Sequence, residues 1–442
     1  MDSSYLFFII AIFFVSFPLT VLFLSFLYKN KNILFLLLFC VFQFEKVGAL
    51  DFSDFTIRLS QIILLILSIF MFFEVVLKKG EYQNWRKIPR ESFFIIPYLS
   101  ISLISACLSE SFERSLQVFS FAAFTFLLFF VVPYFFREEY FPKIKKIIIL
   151  VTFFASVFSF YQFLGDMMGI PKALTGLQFR YTRAIFGFPR PHSTLSEPLF
   201  FANFLIFPLS FLLSEILNSK NGKNRRFWYF EILVFLLGVA SLFLTLSRGG
   251  ILGFLVAMVF VLLFNLKNFF QKKLIPLYLA FSSAFSIFSV FFILLFGNNA
   301  KTFLSHMTNL FYGTSLEERD VSTKIALENF LKNPVSGSGI GSFGYIYKRE
   351  TGFSQKGFQT VNNQYLEILT ETGIVGFFTF FLFVTIFIAR ILRKIFDTKD
   401  LHRKNLIIGV FAGMMGTFVQ WMSFSTLYTF WIWLWVALSL CL

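Results

Sequence analysis

Cysteine and histidine are scarce, at three residues each, and only 14% of the 442 residues are charged. Cys40, Cys107 and Cys441 lie in apolar runs without metal-ligand spacing, so no disulfide framework and no metal centre is expected. The shortage of charge, with a mean hydropathy of +0.75 and 57% hydrophobic residues, leaves too little polar surface for a soluble domain. No internal repeat is evident, and no low-complexity segment beyond a bias to phenylalanine, which is used 73 times. That bias reads as codon preference filling lipid-facing positions. The first residues, Met1 to Tyr28, have no basic lead and no clear cleavage site, so they read as a retained first helix rather than a signal peptide.

What the chain does have is apolar runs long enough to cross a hydrocarbon core of about 30 Å. They are continuous rather than alternating, and a bilayer demands that backbone amides pair within the segment, so helices are expected. The spans are placed at 5–28, 32–50, 56–77, 92–109, 115–136, 144–164, 196–218, 228–246, 250–266, 274–297, 364–389, 404–421 and 426–441. The expected fold is therefore all-α and polytopic, about 12–13 transmembrane helices in a single membrane domain over 1–442.

The formal charge of +15 does not indicate nucleic acid, because the basic residues come in short bursts between spans. The bursts are Lys78 to Arg90, Arg137 to Lys146, Lys220 to Arg226, Lys267 to Lys273 and Arg390 to Lys404. All fall in alternate loops, which the positive-inside rule assigns to the cytoplasm. The opposite loops are Gly165–Leu195, the tight turn Ser247–Gly249, and the stretch 298–363, which is far longer than an ordinary connection and reads as a large outer loop.

The polar chemistry collects in these outer loops. The first holds Arg180, Arg183, Arg190, His192, Ser196, Glu197 and Pro198 ahead of an apolar helix. Arginines there run against the inside bias, although Ser196 and Glu197 also suit a helix start. His192 is the best placed of the three histidines; His306 has no evident partner and His402 sits in a basic loop. Ser247-Arg248-Gly249-Gly250 joins two spans with almost no loop. A snorkelling arginine would explain it, but glycines beside an arginine also admit a ligand. In the long loop, Ser315-Leu-Glu-Glu318 opens a helix to about Leu331, with Arg319 at the end disfavoured for a cation. That placement points to an anionic partner or to pairing with Glu317 or Asp320. Asn333-Pro334 stops the helix, and Gly339, Gly341 and Gly344 then form G-x-G-x-x-G. Without a preceding strand or a βαβ unit this is no dinucleotide fingerprint; it leaves a flexible turn whose amides could hold an anion. The loop ends in Asn362-Asn363-Gln364-Tyr365. An Asn-capped helix leaves three consecutive amides at a membrane boundary unexplained.

In this order the motifs resemble the O-antigen ligase and O-antigen polymerase superfamily of bacterial inner-membrane glycosyltransferases. The likeness is carried by Arg190 with Ser196-Glu197-Pro198, by Ser247-Arg248-Gly249-Gly250, by Arg319 with Asn333-Pro334 and Gly337 to Gly341, and by Asn362 to Gly376. It is strongest over 180–390. The resemblance implies transmembrane helices with a large periplasmic loop containing short helices. It also implies a glycan donor on undecaprenyl diphosphate, an acceptor glycan, and transfer without metal or cofactor. Arg190, Arg248 and Arg319 would hold the diphosphate. Ligases carry a histidine where this chain has Asn362, which can orient a hydroxyl but cannot take its proton. The reading therefore leans to a polymerase, with Glu197 as base, His192 as second choice, and Asn363, Gln364 and Tyr365 at the acceptor. A chain-length regulator protein would be a further partner. The rival within the family is a ligase; the distant rival is a lipid-glycan flippase. Flippases and other transporters place ionisable groups near the midplane, often in repeated halves. Here the polar load lies on one face.

Overall fold

A computed structural model describes residues 25–45, 49–51, 56–77, 87–182, 187–218, 225–266, 314–352 and 359–442. The architecture is all-α, with one small antiparallel hairpin, β1 (Leu50–Asp51) to β2 (Thr56–Ile57), pairing Leu50 with Ile57. The helices are α1 (Lys31–Val41), α2 (Leu59–Leu77), α3 (Ile95–Cys107), α4 (Phe112–Phe126), α5 (Leu128–Phe135), α6 (Phe141–Met167) and α7 (Pro198–Asn218). They continue as α8 (Arg225–Leu244), α9 (Arg248–Phe264), α10 (Thr314–Lys332), α11 (Phe343–Thr351), α12 (Gln364–Asp397), α13 (Leu401–Gln420) and α14 (Phe430–Cys441).

Most expected spans reappear as helices within a few residues of their bounds. Among the described residues six helical stretches are long and apolar enough to cross a membrane: Leu59–Leu77, Phe112–Phe135, Glu138–Met167, Pro198–Asn218, Arg225–Leu244 and Gln364–Asp397. Three more apolar helices, α1, α9 and α14, are shorter. The chain is therefore a multi-pass membrane protein. The span at 274–297, most of that at 5–28, Arg183 and His306 lie outside the described residues.

Helix α7 is apolar and buried on nearly every side, the pattern of a helix at the centre of a bundle. It packs against α9 and α13, which also pack against each other. Small residues set that distance: a Cβ on Gly253 of α9 would stand 2.7 Å from the carbonyl oxygen of Gly416 on α13. In lipid, where helix burial brings no hydrophobic gain, such close approach supplies the packing. On the other flank α4, α5, α12 and α14 share an aromatic core, with Phe129 against Phe387 at 4.8 Å and Phe126 against Trp433 at 5.0 Å. Phenylalanine thus fills the interior as well as the lipid-facing surface, and several of the largest fully buried side chains are phenylalanines.

The reach of the chain beyond the bundle is organised by a break in α12. Gly373 has φ +67° and ψ −174°, so the helix changes direction there. The break frees carbonyls that a helix would have used. Ser338 N–H donates to Thr370 O at 3.0 Å and Gly339 N–H to Glu371 O at 2.9 Å, while Ile374 N–H donates to Pro334 O at 2.9 Å. Ser105 Oγ adds a second donor to Glu371 O at 2.6 Å. The segment between α10 and α11 is therefore a strap tied into α12.

Charge divides the molecule into two ends. At one, Glu215 of α7 accepts from Lys145 of α6, from His402 Nδ1 at 2.8 Å and from Asn405 Nδ2 at 3.2 Å. Arg403 pairs with Glu138 at 3.1 Å at the same end. The opposite end gathers the beginnings of α7, α9 and α12 with the ends of α8 and α13.

Candidate functional site

The site is built around the turn from α8 into α9. Leu246 takes φ +51°, which folds the chain back at once. Ser247 N–H donates to Thr245 Oγ1 at 3.2 Å, and Ser247 Oγ caps α9 by accepting from Gly250 N–H at 3.2 Å. Arg248 is consequently the first residue of α9. The helix dipole disfavours a cation there and favours an anion. Arg190 Nε donates to Thr245 O at 2.9 Å, which fixes this second guanidinium to the same turn. Burial lowers the Arg190 pKa from its ordinary value, against the pull of Tyr181 and Glu197. The third, Arg319 of α10, is half-buried, and burial followed by the charge of Arg248 lowers its pKa. Both remain cations, since guanidinium keeps its proton in proteins. Arg190 is thus bonded to the turn from which Arg248 opens α9, and Arg319 lies near enough for the charge of Arg248 to act on it. Of the carboxylates expected to neutralise Arg319, Asp320 instead pairs with Lys324 at 3.0 Å.

The loop before α7 is held by Gln162 of α6. Its Oε1 accepts from His192 N–H at 3.1 Å and Ser193 N–H at 2.8 Å, and its Nε2 donates to Ser193 O at 3.0 Å. Ser193 adopts φ +54°. The His192 ring is 1% exposed, with Tyr181 at 5.9 Å. That burial places the ring inside the loop. Glu197, just before α7, is half-buried and pairs with Arg180 at 2.9 Å. Ser196 donates from both N–H and Oγ to Glu45 Oε2, at 3.0 and 2.7 Å.

The amide run at the start of α12 divides by role. Asn363 Oδ1 caps the helix, accepting from Tyr365 and Leu366 N–H at 3.1 and 3.2 Å. Gln364 Oε1 accepts from Leu427 N–H at 2.7 Å, and Tyr365 OH donates to Phe418 O at 2.7 Å. Gln364 and Tyr365 thus dock α12 onto the segment after α13 and onto α13 itself. Asn362, in the left-handed region at φ +57° and half-buried, makes no side-chain hydrogen bond among the described residues.

Sequence reasoning missed a cavity of about 200 Å³ beside these elements, whose polar lining includes Glu45, Arg58, Glu367 and Ser425. Ser425 Oγ donates to Glu367 Oε2 at 2.7 Å, and Arg58 stands 3.7 Å from Glu45. The cavity adjoins the arginine turn, for a Cβ on Gly249 would lie 2.6 Å from Ser423 Oγ, two residues before Ser425. The available signal was a loop from Glu45 to Arg58 carrying several charges between two apolar runs.

The glycine-rich segment corrects its expectation. It is tightly packed: Gly337, Gly339 and Gly341 all have positive φ, and added Cβ atoms would run into the Glu371 backbone, Ser109 and Val118 respectively. The amides of Ser338 and Gly339 are committed to α12, and Phe343 N–H donates to Glu371 Oε1 at 3.3 Å. Amides so engaged are not an anion nest.

A multi-pass helical membrane protein with arginines gathered on one turn at one end is the class that this architecture defines. Residues 232–381, about a third of the chain, match the family described as O-Antigen ligase. No curated protein matches the chain.

Proposed function

We propose that this protein is a polymerase-type glycosyltransferase. It joins undecaprenyl-diphosphate-linked oligosaccharide repeat units to build O-antigen or a related surface polysaccharide. The observation that carries the reading is the bonding of Arg190 to the α8–α9 turn from which Arg248 opens α9, with Arg319 in the field of Arg248. Cations beside a helix N-terminus favour an anion, and a lipid diphosphate is an anion delivered at a membrane boundary.

In the reaction, the acceptor hydroxyl oxygen bonds to the anomeric carbon while the bond from that carbon to the diphosphate oxygen breaks. The electron pair stays on the diphosphate. Preorganised guanidinium groups stabilise that developing charge in a site poor in water. The acceptor proton passes to Glu197, whose carboxylate is held by Arg180. His192, enclosed within the loop beside Tyr181, supports it, and Asn362 orients the acceptor hydroxyl. By the positive-inside rule the basic end faces the cytoplasm of an inner membrane, with the arginine turn on the outer side. The ligase reading is favoured by one observation, the description of the matching family, and it uses the same arginines.

The test is deletion of the gene in its host, with complementation by wild type or Arg248→Ala and electrophoresis of the surface glycans. Collapse to a single repeat unit on its usual anchor, unrelieved by Arg248→Ala, is the expected result. Full-length glycan stranded on the lipid carrier would instead make the protein a ligase. A complete ladder with Arg248→Ala would remove that arginine from the mechanism.

A further inference from the structure

The second cavity lies away from the arginine turn, between the α3–α4 connection and the strap that joins α10 to α11. It has a volume of about 320 Å³ and its wall is polar, with Asn329, Asn333, Ser338, Ser342, Tyr345 and Arg349 prominent. Two of these side chains are almost wholly enclosed: Asn329 is 5% exposed and Ser342 is 2% exposed. Among the described residues, Asn329 Nδ2, Ser338 Oγ and Ser342 Oγ nevertheless have no hydrogen-bond partner. Buried polar groups are ordinarily satisfied, so these three, packed within the residues of the polar wall, mark a region whose hydrogen-bonding capacity the described residues leave unused. Its charge is balanced, because the two charged residues of the lining, Glu110 and Arg349, pair at 2.6 Å. An anion therefore gains little there. Tyr345 is 45% exposed and offers an aromatic body with a polar tip on the rim. Donors and acceptors without net charge, beside one aromatic ring, match a neutral hydroxyl-rich molecule.

We infer that this cleft is a saccharide subsite, which holds a neutral sugar of the glycan chain while the diphosphate is held at the arginine turn. The inference rests on the glycosyltransferase reading and adds a second point of contact to it. Helix α10 connects the two points. Arg319, Ser322, Ala326 and Asn329 recur at helical spacing along one stripe, and the rise per residue puts Asn329 about 15 Å along the axis from Arg319. That stripe faces α12, where Thr370 Oγ1 donates to Ala326 O at 3.1 Å. One helix thus carries a phosphate-binding residue near one end and a sugar-binding residue near the other, at a fixed separation. The floor of the cleft is equally fixed, because the strap is tied to the break in α12.

The experiment uses the full chain in detergent micelles and two probes. The first is the phosphate-free repeat-unit oligosaccharide released by mild acid from the surface glycan of the host; the second is inorganic diphosphate. Binding is measured by saturation-transfer NMR and by titration calorimetry. Asn329→Ala combined with Ser342→Ala is expected to weaken oligosaccharide binding at least tenfold without changing diphosphate affinity. Tyr345→Ala, at the surface and harmless to folding, should weaken it too, with Tyr345→Phe restoring it. Arg319→Ala should give the opposite pattern. Absence of oligosaccharide binding to the wild type, or binding undiminished in both the double variant and Tyr345→Ala, overturns the inference. Unchanged diphosphate affinity in Arg319→Ala would instead count against the glycosyltransferase reading and leave the cleft result standing.

Discussion

The charge of Arg319 is expensive at rest. Burial and the neighbouring Arg248 both work against its cationic form, and that strain is relieved when an anion binds. Arg319→Ala should therefore leave the thermal midpoint of the empty protein unchanged or higher. The same change should cost about 1.5–3 kcal/mol of diphosphate affinity, the range for a hydrogen bond to a charged group. Differential scanning fluorimetry and calorimetry on one preparation check both halves. A midpoint lowered by several degrees with affinity intact would mean that Arg319 is structural. Arg190, Arg248 and Arg319 were each legible in the sequence because a cation outside the basic bursts, or near a helix start, breaks a local rule. The bonding of Arg190 to the turn that opens α9 was not legible, because it depends on a backbone carbonyl, and backbone partners leave no trace in residue type. His192 shows the reverse: a histidine among arginines reads as chemistry, while Gln162 of α6 and the Tyr181 ring enclose it.

Among the elements, the helices were legible and the strap was not. Apolar runs placed α2, α6 and α7 to within a few residues, because lipid demands a minimum apolar length of every span, whereas α12 runs eight residues past its expected end at 389. The glycine-rich segment carries a pattern that also occurs in flexible loops, and its actual partners, Thr370 and Glu371, lie about thirty residues on in α12, where the break at Gly373 releases their carbonyls. This makes Gly373 the keystone of the strap. Its φ of +67° is a region where an L side chain is strained, and a Cβ there would drive into the Val335 backbone. Gly352 has a similar φ of +70° with nothing within 4 Å. Gly352→Ala should thus show the cost of the left-handed conformation alone, about 1 kcal/mol. Gly373→Ala should cost well beyond the range of about 1–3 kcal/mol for backbone strain and loosen the strap. Limited proteolysis reads the difference as new cleavage between Asn333 and Ser342 in Gly373→Ala only. Equal protection of the two variants would mean that the strap does not depend on the break.

For the molecule as a whole, the two ends differ in what their charges do. At the basic end, carboxylates are enclosed by cations, as Glu215 is by Lys145 and His402, and exposed lysines and arginines surround them. At the other end Arg248 opens α9 and its charge acts on the half-buried Arg319. A protein that receives a lipid diphosphate on the outer side of an inner membrane must place these ends on opposite sides, with the basic one in the cytoplasm. The orientation can be read directly. Cys40, Cys107 and Cys441 are replaced by alanine, and a single cysteine is introduced at Asn333 on the strap or at Lys399 between α12 and α13, both exposed positions. Intact cells with a permeabilised outer membrane are treated with a maleimide that cannot cross the inner membrane. Asn333→Cys should be labelled at once and Lys399→Cys only after lysis. Labelling in the opposite order would put the arginine turn in the cytoplasm. It would then lie on the wrong side for an outer-face polymerase, and both the transfer reaction and the saccharide cleft would have to be given up together.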